Sequence, residues 1–207
     1  MDGFSRGRNL KKMGLPVQDT AEIRFDDVKV PKENLLGEAG MGFAYMAECL
    51  AVERTMSAIS SLSHAQAAFD ITLDFVKERR AFGKPVGAFQ NTRFVMADLR
   101  TRLDAAQAYL DQCVVLANDD KLTPEDAAAA KLLCSEVQGE VVDAGLQFHG
   151  GAGYMDEYEI SHMFRDARLA RTYAGTSEIL KEIIGRRLGP GGRERHSHSH
   201  PRPPPRR

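Results

Sequence analysis

Three stretches of the chain repeat apolar residues every three or four positions, and each predicts a helix with one face to bury. Ile59, Leu62, Ala65, Phe69, Leu73 and Val76 form the first stripe. Leu99, Leu103, Ala106, Leu110, Cys113 and Ala117 form the second, and Ala127, Ala130, Cys134, Val137, Val141, Ala144 and Phe148 the third. The spacing places helices over about 52–80, about 90–118 and from Thr123-Pro124 to the glycines at 150–153, with shorter ones over about 41–50, 157–170 and 177–188. The punctuation agrees. Lys77-Glu78-Arg79-Arg80 precedes Gly83 and Pro85, and Thr123-Pro124-Glu125-Asp126 offers an N-cap hydroxyl, a proline at the first helical position and acids in the first turn. The expected fold is mainly α: an antiparallel up-down four-helix bundle of three long stripes and a terminal helix.

The ends read differently. Residues 1–37 read as β or loop. Met1-Asp2-Gly3-Phe4 is strand-like, Ser5 to Lys12 is a basic lead-in, and Ala21, Ile23 and Phe25 alternate with Glu22, Arg24 and Asp26. Val28 and Val30 resume that alternation until Pro31 stops it. One or two strands cannot bury an apolar face alone, so this piece is expected to lean on other structure. Gly37 to Gly42 is a glycine-rich hinge into the helical region, 38–189. From 190 to 207 the chain is proline, arginine, glycine, serine and histidine with one glutamate and no apolar residue to bury, and is expected to be disordered. Its alternating His196, His198 and His200 are expected to be solvated, and no metal site is expected anywhere in the chain.

Composition narrows the classes. Hydrophobic residues make up 43% of 207, enough for a core, and the formal net charge of −1 carries no nucleic-acid or anionic-membrane footprint. No apolar run approaches membrane-spanning length. Cys49, Cys113 and Cys134 are odd in number and lie in apolar helical patterns, which suits free thiols in a reducing compartment. The N-terminus lacks the layout of a secretory signal. Core packing is the expected role of Cys49, Phe69, Phe94 and Tyr109.

On spacing alone the candidate chemistry is modest. Glu53-Arg54 reads as a solvated pair in a first helical turn. Gly150 to Gly153 either terminates a helix or cradles a phosphate with backbone N–H groups, and it lacks the dinucleotide fingerprint. Thr176-Ser177-Glu178 reads as an N-cap, and Arg79, Arg80 and Lys84 as helix-ending cations or phosphate partners.

Four blocks carry a resemblance beyond this. They are Asp19-Thr20-Ala21-Glu22 through Pro31-Lys32-Glu33-Asn34-Leu35-Leu36-Gly37; Lys77-Glu78-Arg79-Arg80-Ala81-Phe82-Gly83-Lys84-Pro85 with Phe89-Gln90; Leu146-Gln147-Phe148-His149-Gly150-Gly151-Ala152-Gly153-Tyr154; and Arg165-Asp166-Ala167-Arg168 followed by Tyr173-Ala174-Gly175-Thr176-Ser177-Glu178-Ile179. In order and spacing they resemble the C-terminal half of an acyl-CoA dehydrogenase. The resemblance makes residues 1–37 a remnant of that family's central β-domain and 38–189 its C-terminal helical domain, followed by the tail 190–207.

It also implies a reaction: α,β-dehydrogenation of an acyl thioester, in fatty-acid β-oxidation or branched-chain amino-acid catabolism. A glutamate removes the α-proton while the β-hydrogen leaves as hydride to FAD. In one branch that glutamate lies just before the Gly-Thr of the last block, where this chain has Ala174; in the long-chain and isovaleryl-like branch it sits in a Glu-Arg pair, here Glu53. Glu53 is therefore the expected base, with Arg54, Ala174 and Gly175 at the substrate. Arg79, Phe82, Gln90, Gln147, Phe148, His149, Gly150, Gly151, Thr176, Ser177 and Glu178 are expected at the FAD, some across a subunit interface. The resemblance implies an acyl-CoA substrate, a homo-oligomer (dimer or tetramer), electron-transfer flavoprotein as acceptor, and a bacterial cytoplasm or mitochondrial matrix. The family's N-terminal helical domain and most of its β-domain have no counterpart in these residues. That leaves two classes, a flavin-dependent dehydrogenase and a non-catalytic relative that serves assembly.

Overall fold

The structure is a computed structural model that describes residues 1–189. The expected disordered tail and its histidines lie outside the described residues. Five helices carry the fold: α1 (Gly42–Glu78), α2 (Gln90–Asn118), α3 (Pro124–His149), α4 (Glu159–Ala167) and α5 (Ser177–Leu188). Two small hairpins join them, β1 (Phe4–Asn9) with β2 (Ala21–Phe25) and β3 (Arg80–Ala81) with β4 (Lys84–Pro85).

The stripes set the packing. Leu62, Ala65, Phe69, Leu99, Leu103, Leu110, Cys134, Val137 and Val141 form one continuous core. α1 and α3 run parallel, with Phe75 stacked on His149 at 4.0 Å between ring centroids at their C-terminal end. α2 runs against both: Arg100 donates to Gln66 of α1 at 2.9 Å and Arg102 to Glu140 of α3 at 3.0 Å. α5 descends along α3, from Gly175 beside Lys131 to Arg187 on the capping hydroxyl of Thr123 at 3.2 Å. That hydroxyl also accepts from the Asp126 amide, closing the capping box expected at Thr123.

Several local expectations change. The helices expected over 41–50 and 52–80 are one helix, because no proline or glycine interrupts it after Gly42. Glu53 is thus deep inside α1, not in its first turn. Before Arg54, α1 has no buried residue, and Phe43, Met46, Val52 and, just beyond, Met56 are exposed. Cys49 and Phe94 are exposed as well, and are not core residues. The basic lead-in is itself the partner strand of Ala21–Phe25, pairing Arg6 with Ile23. Val28 and Val30 belong to no strand, since Asp27 at φ +48 turns the chain away. The hairpin is largely exposed and is tied to α4 by the Leu15 amide, which donates to Asp166 at 2.6 Å. No helix of the described residues is long and apolar enough to cross a membrane.

Gly145 sets how closely α1, α3 and α4 approach. A Cβ there would meet Thr72 Oγ1 at 2.7 Å and Ile160 Cδ1 at 2.9 Å. Both neighbours are fully buried, and the Thr72 hydroxyl is committed to the Ala68 carbonyl. Helix propensity favours alanine over glycine by about 1 kcal/mol, whereas overpacking costs about 1–3 kcal/mol. Gly145→Ala is expected to lose about 1–2 kcal/mol in urea unfolding; a stabilised variant would contradict this packing. A second prediction concerns pH. Burial pushes the His64 pKa below its ordinary 6.5, against the pull of Asp166 and Glu159. The unfolded chain therefore takes up the proton first, so this contribution is intact above pH 6.5 and is lost as pH falls below it. His64→Leu should flatten the stability profile from about pH 7 to about pH 5, while parallel profiles would exclude the effect.

Candidate active site

The centre of the site is a turn. Ala174 has φ +52 and Gly175 φ +102, so the chain passes through left-handed backbone just before α5. Such a turn suits glycine and strains alanine by about 1–2 kcal/mol. Two cations hold it. Arg54 of α1 is 7% exposed and its Nε donates to the Ala174 carbonyl at 3.3 Å. Lys131 of α3 is 0% exposed and its Nζ donates to the Gly175 carbonyl at 2.7 Å, with the Tyr173 ring 5.7 Å away. Burial pushes the Arg54 pKa down, and neighbouring Glu53 partly restores it. Burial, then the charge of Arg54, pushes the Lys131 pKa down. Burial is the main cause of both shifts, and at Lys131 the like charge of Arg54 adds to it.

Around the turn the expected residues assemble in part. Glu53, one position before Arg54, is exposed. Thr176 is the N-cap of α5, its hydroxyl accepting from the Ile179 amide at 3.4 Å. The Glu178 carboxyl is held below its ordinary value by its own backbone amide and then by the Thr176 hydroxyl. Ser177 Oγ is buried and has no partner among the described residues. The Ala174 and Gly175 amides have no acceptor among the described residues.

The remaining expected residues gather at the far end of α1. Arg79 is its C-cap, and Arg80 donates to the Gly83 carbonyl at 2.9 Å across the tip of the β3–β4 hairpin. Phe82 sits at that tip at φ +50 and is 95% exposed. Lys84 lies 4.2 Å from the centre of the Phe89 ring. Gln90 opens α2, exposed. Gln147 is exposed and Phe148 half-buried. His149 turns inward, stacked on Phe75, and its ring Nδ1 lies 2.7 Å from the Gly145 carbonyl. Gly150 (φ +59) and Gly151 have open space where a Cβ would stand, so their backbone is accessible to a ligand. From Arg54 to the end of α1 at Arg79 the helix spans about 37 Å, at 1.5 Å per residue. The two groups of residues are therefore separate sites within one chain.

Sequence reading overlooked Lys131. Its signal was present: with Ala127, Ala130, Cys134 and Gln138 it falls on the apolar face of α3, where a lysine must find a partner.

Comparison with known proteins bears on this arrangement. Residues 40–189 match the family model "Acyl-CoA dehydrogenase, C-terminal domain". The mouse "Long-chain specific acyl-CoA dehydrogenase, mitochondrial" is 42% identical over 188 residues, 91% of this chain and 44% of that protein. The crystal structure of an acyl-CoA dehydrogenase from Geobacillus kaustophilus superposes with a TM-score of 0.89 at 42% identity, over 91% of this chain and 50% of that one. An acyl-CoA dehydrogenase complexed with FAD from Bacillus anthracis gives 0.85 at 30% identity, over 90% of this chain and 35% of that one. The chain thus spans about half or less of the proteins it matches, and within that span the chain belongs to the acyl-CoA dehydrogenase family.

Proposed function

We propose that this chain provides the catalytic base, the thioester-holding turn and part of the FAD cradle of an acyl-CoA dehydrogenase. The observation that carries the reading is the Arg54–Ala174 hydrogen bond, which brings the Glu53-Arg54 segment of α1 onto the Ala174–Gly175 turn. Ala174 has no proton-accepting group, so Glu53 is the base. Its carboxylate takes the α-proton of an acyl-CoA. The amides of Ala174 and Gly175, which have no acceptor among the described residues, donate to the thioester oxygen, on which negative charge grows as that proton leaves; preorganised donors are worth most at such a point. Arg54 serves this step through the turn, because its guanidinium is already bound to the Ala174 carbonyl.

The residues also fit a flavin dinucleotide. Gly150 and Gly151 present open backbone, Arg79 and Gln90 are exposed, and Phe82 is held in a strained, projecting conformation. FAD, when bound, supplies the acceptor for the β-hydride, and electron-transfer flavoprotein is the proposed onward acceptor. Thr176 and Glu178 lie beside the reacting turn and Arg79, Phe82 and Gly151 about 37 Å along α1, farther than one FAD reaches. This separation supports a homo-oligomer, dimer or tetramer, in which one FAD meets the turn of one copy and the Arg79–Gly151 end of another. A second reading is an assembly subunit without turnover, favoured by the exposed apolar side chains of Phe43, Met46, Val52 and Met56.

Purified protein supplied with FAD should acquire flavin absorbance and reduce a dye with a straight or branched acyl-CoA. Glu53→Gln should keep the flavin and lose about 10²–10⁴-fold in kcat. No flavin uptake by the wild type would leave only the assembly reading, and unchanged turnover in Glu53→Gln would remove the base from Glu53.

A further inference from the structure

Lys131 is an expensive residue for its position. It lies in the middle of α3 with Ala127, Ala130 and Cys134 around it, fully enclosed, where leucine would pack without desolvation. Among the described residues no carboxylate forms a salt bridge with it, and its one hydrogen bond goes to the Gly175 carbonyl at 2.7 Å. Its nearest charged influence, Arg54, has the same sign. A buried cation so placed gains nothing from a counter-ion and is held by the backbone turn it touches.

The turn, for its part, needs holding. Ala174 in left-handed backbone relaxes unless its surroundings over-determine it. Arg54 fixes one carbonyl from α1 and Lys131 fixes the next from α3. Because α1 and α3 are packed side by side along their length, these two anchors are as rigid as the core itself.

We propose that Lys131 is a positioning residue of the active site: through the Gly175 carbonyl it keeps the Ala174–Gly175 turn left-handed, so that the turn's amides stay free for the acyl thioester. The substrate part of this statement rests on the function proposed above; the clamp itself does not. Lys131→Met keeps the bulk and removes the donor. In hydrogen exchange of the 207-residue protein, the hydrogen-bonded amides that flank the turn, those of Tyr173, Ile179 and Leu180, should exchange about tenfold faster, with the body of α2 and α3 little changed. In calorimetry with FAD present, acyl-CoA affinity should fall about tenfold. Unchanged exchange at Tyr173, Ile179 and Leu180, or an equal rise throughout the chain, overturns the proposal, the latter because Lys131 would then be ordinary packing. Equal acyl-CoA affinity of wild type and variant overturns the substrate role. A wild type that binds no acyl-CoA refutes the proposed function, while the exchange result still decides the clamp. If Lys131→Met does not fold, Lys131→Gln, which retains one donor type, takes its place; failure of both to fold makes Lys131 a structural residue and overturns the proposal.

Discussion

Two buried cations can lie side by side only if each has something negative to face, and here that is the backbone of one turn. Arg54 and Lys131 each meet a carbonyl, of Ala174 and Gly175 in succession. An unpaired buried charge costs several kcal/mol, so the turn must stay where the cations need it. The dependence is mutual, since the left-handed alanine would otherwise relax. Much of the bundle can be understood from this requirement. α1 and α3 have to be close neighbours for Arg54 and Lys131 to converge, and α5 has to start beside them. The closeness at the other end of the same helix pair, where Gly145 admits Thr72 and Ile160, keeps that alignment fixed.

The length of α1 has a functional consequence. One end of its long packed segment carries the Glu53-Arg54 pair, and the other carries the Arg79 cap and the strained Phe82 hairpin beside the open glycines 150 and 151. Rigid helices keep these groups apart. A site that needs both must draw them from different copies, and this is the physical support for an oligomer in the proposed function. It also gives a use to apolar side chains on α1 that this chain leaves uncovered.

The three stripes were legible because packing against neighbours demands helical periodicity; Leu99, Leu103, Ala106, Leu110 and Cys113 are all buried as their spacing implies. The beginning of α1 was not legible, because helix continuity there depends on the absence of breakers and not on a buried face. Phe94 and Cys49 are apolar residues on exposed sides of their helices, which residue type alone does not reveal. At the site, Thr176 is the N-cap its residue type suggests. What spacing could not convey is that Arg54 faces inward and that Lys131 meets it there, 77 positions along the chain. Both depend on how α1 and α3 pack, which no local pattern encodes.

The central claim is that a buried ammonium holds the turn before α5, and nitrogen-15 NMR of the lysine side chains tests it most directly. The account predicts one ammonium resonance protected from exchange with water, assigned to Lys131, together with a Gly175 carbonyl carbon shifted as hydrogen-bonded carbonyls are. Lysine ammonium groups that all exchange as freely as exposed ones, with a Gly175 carbonyl shift typical of solvated backbone, would contradict it.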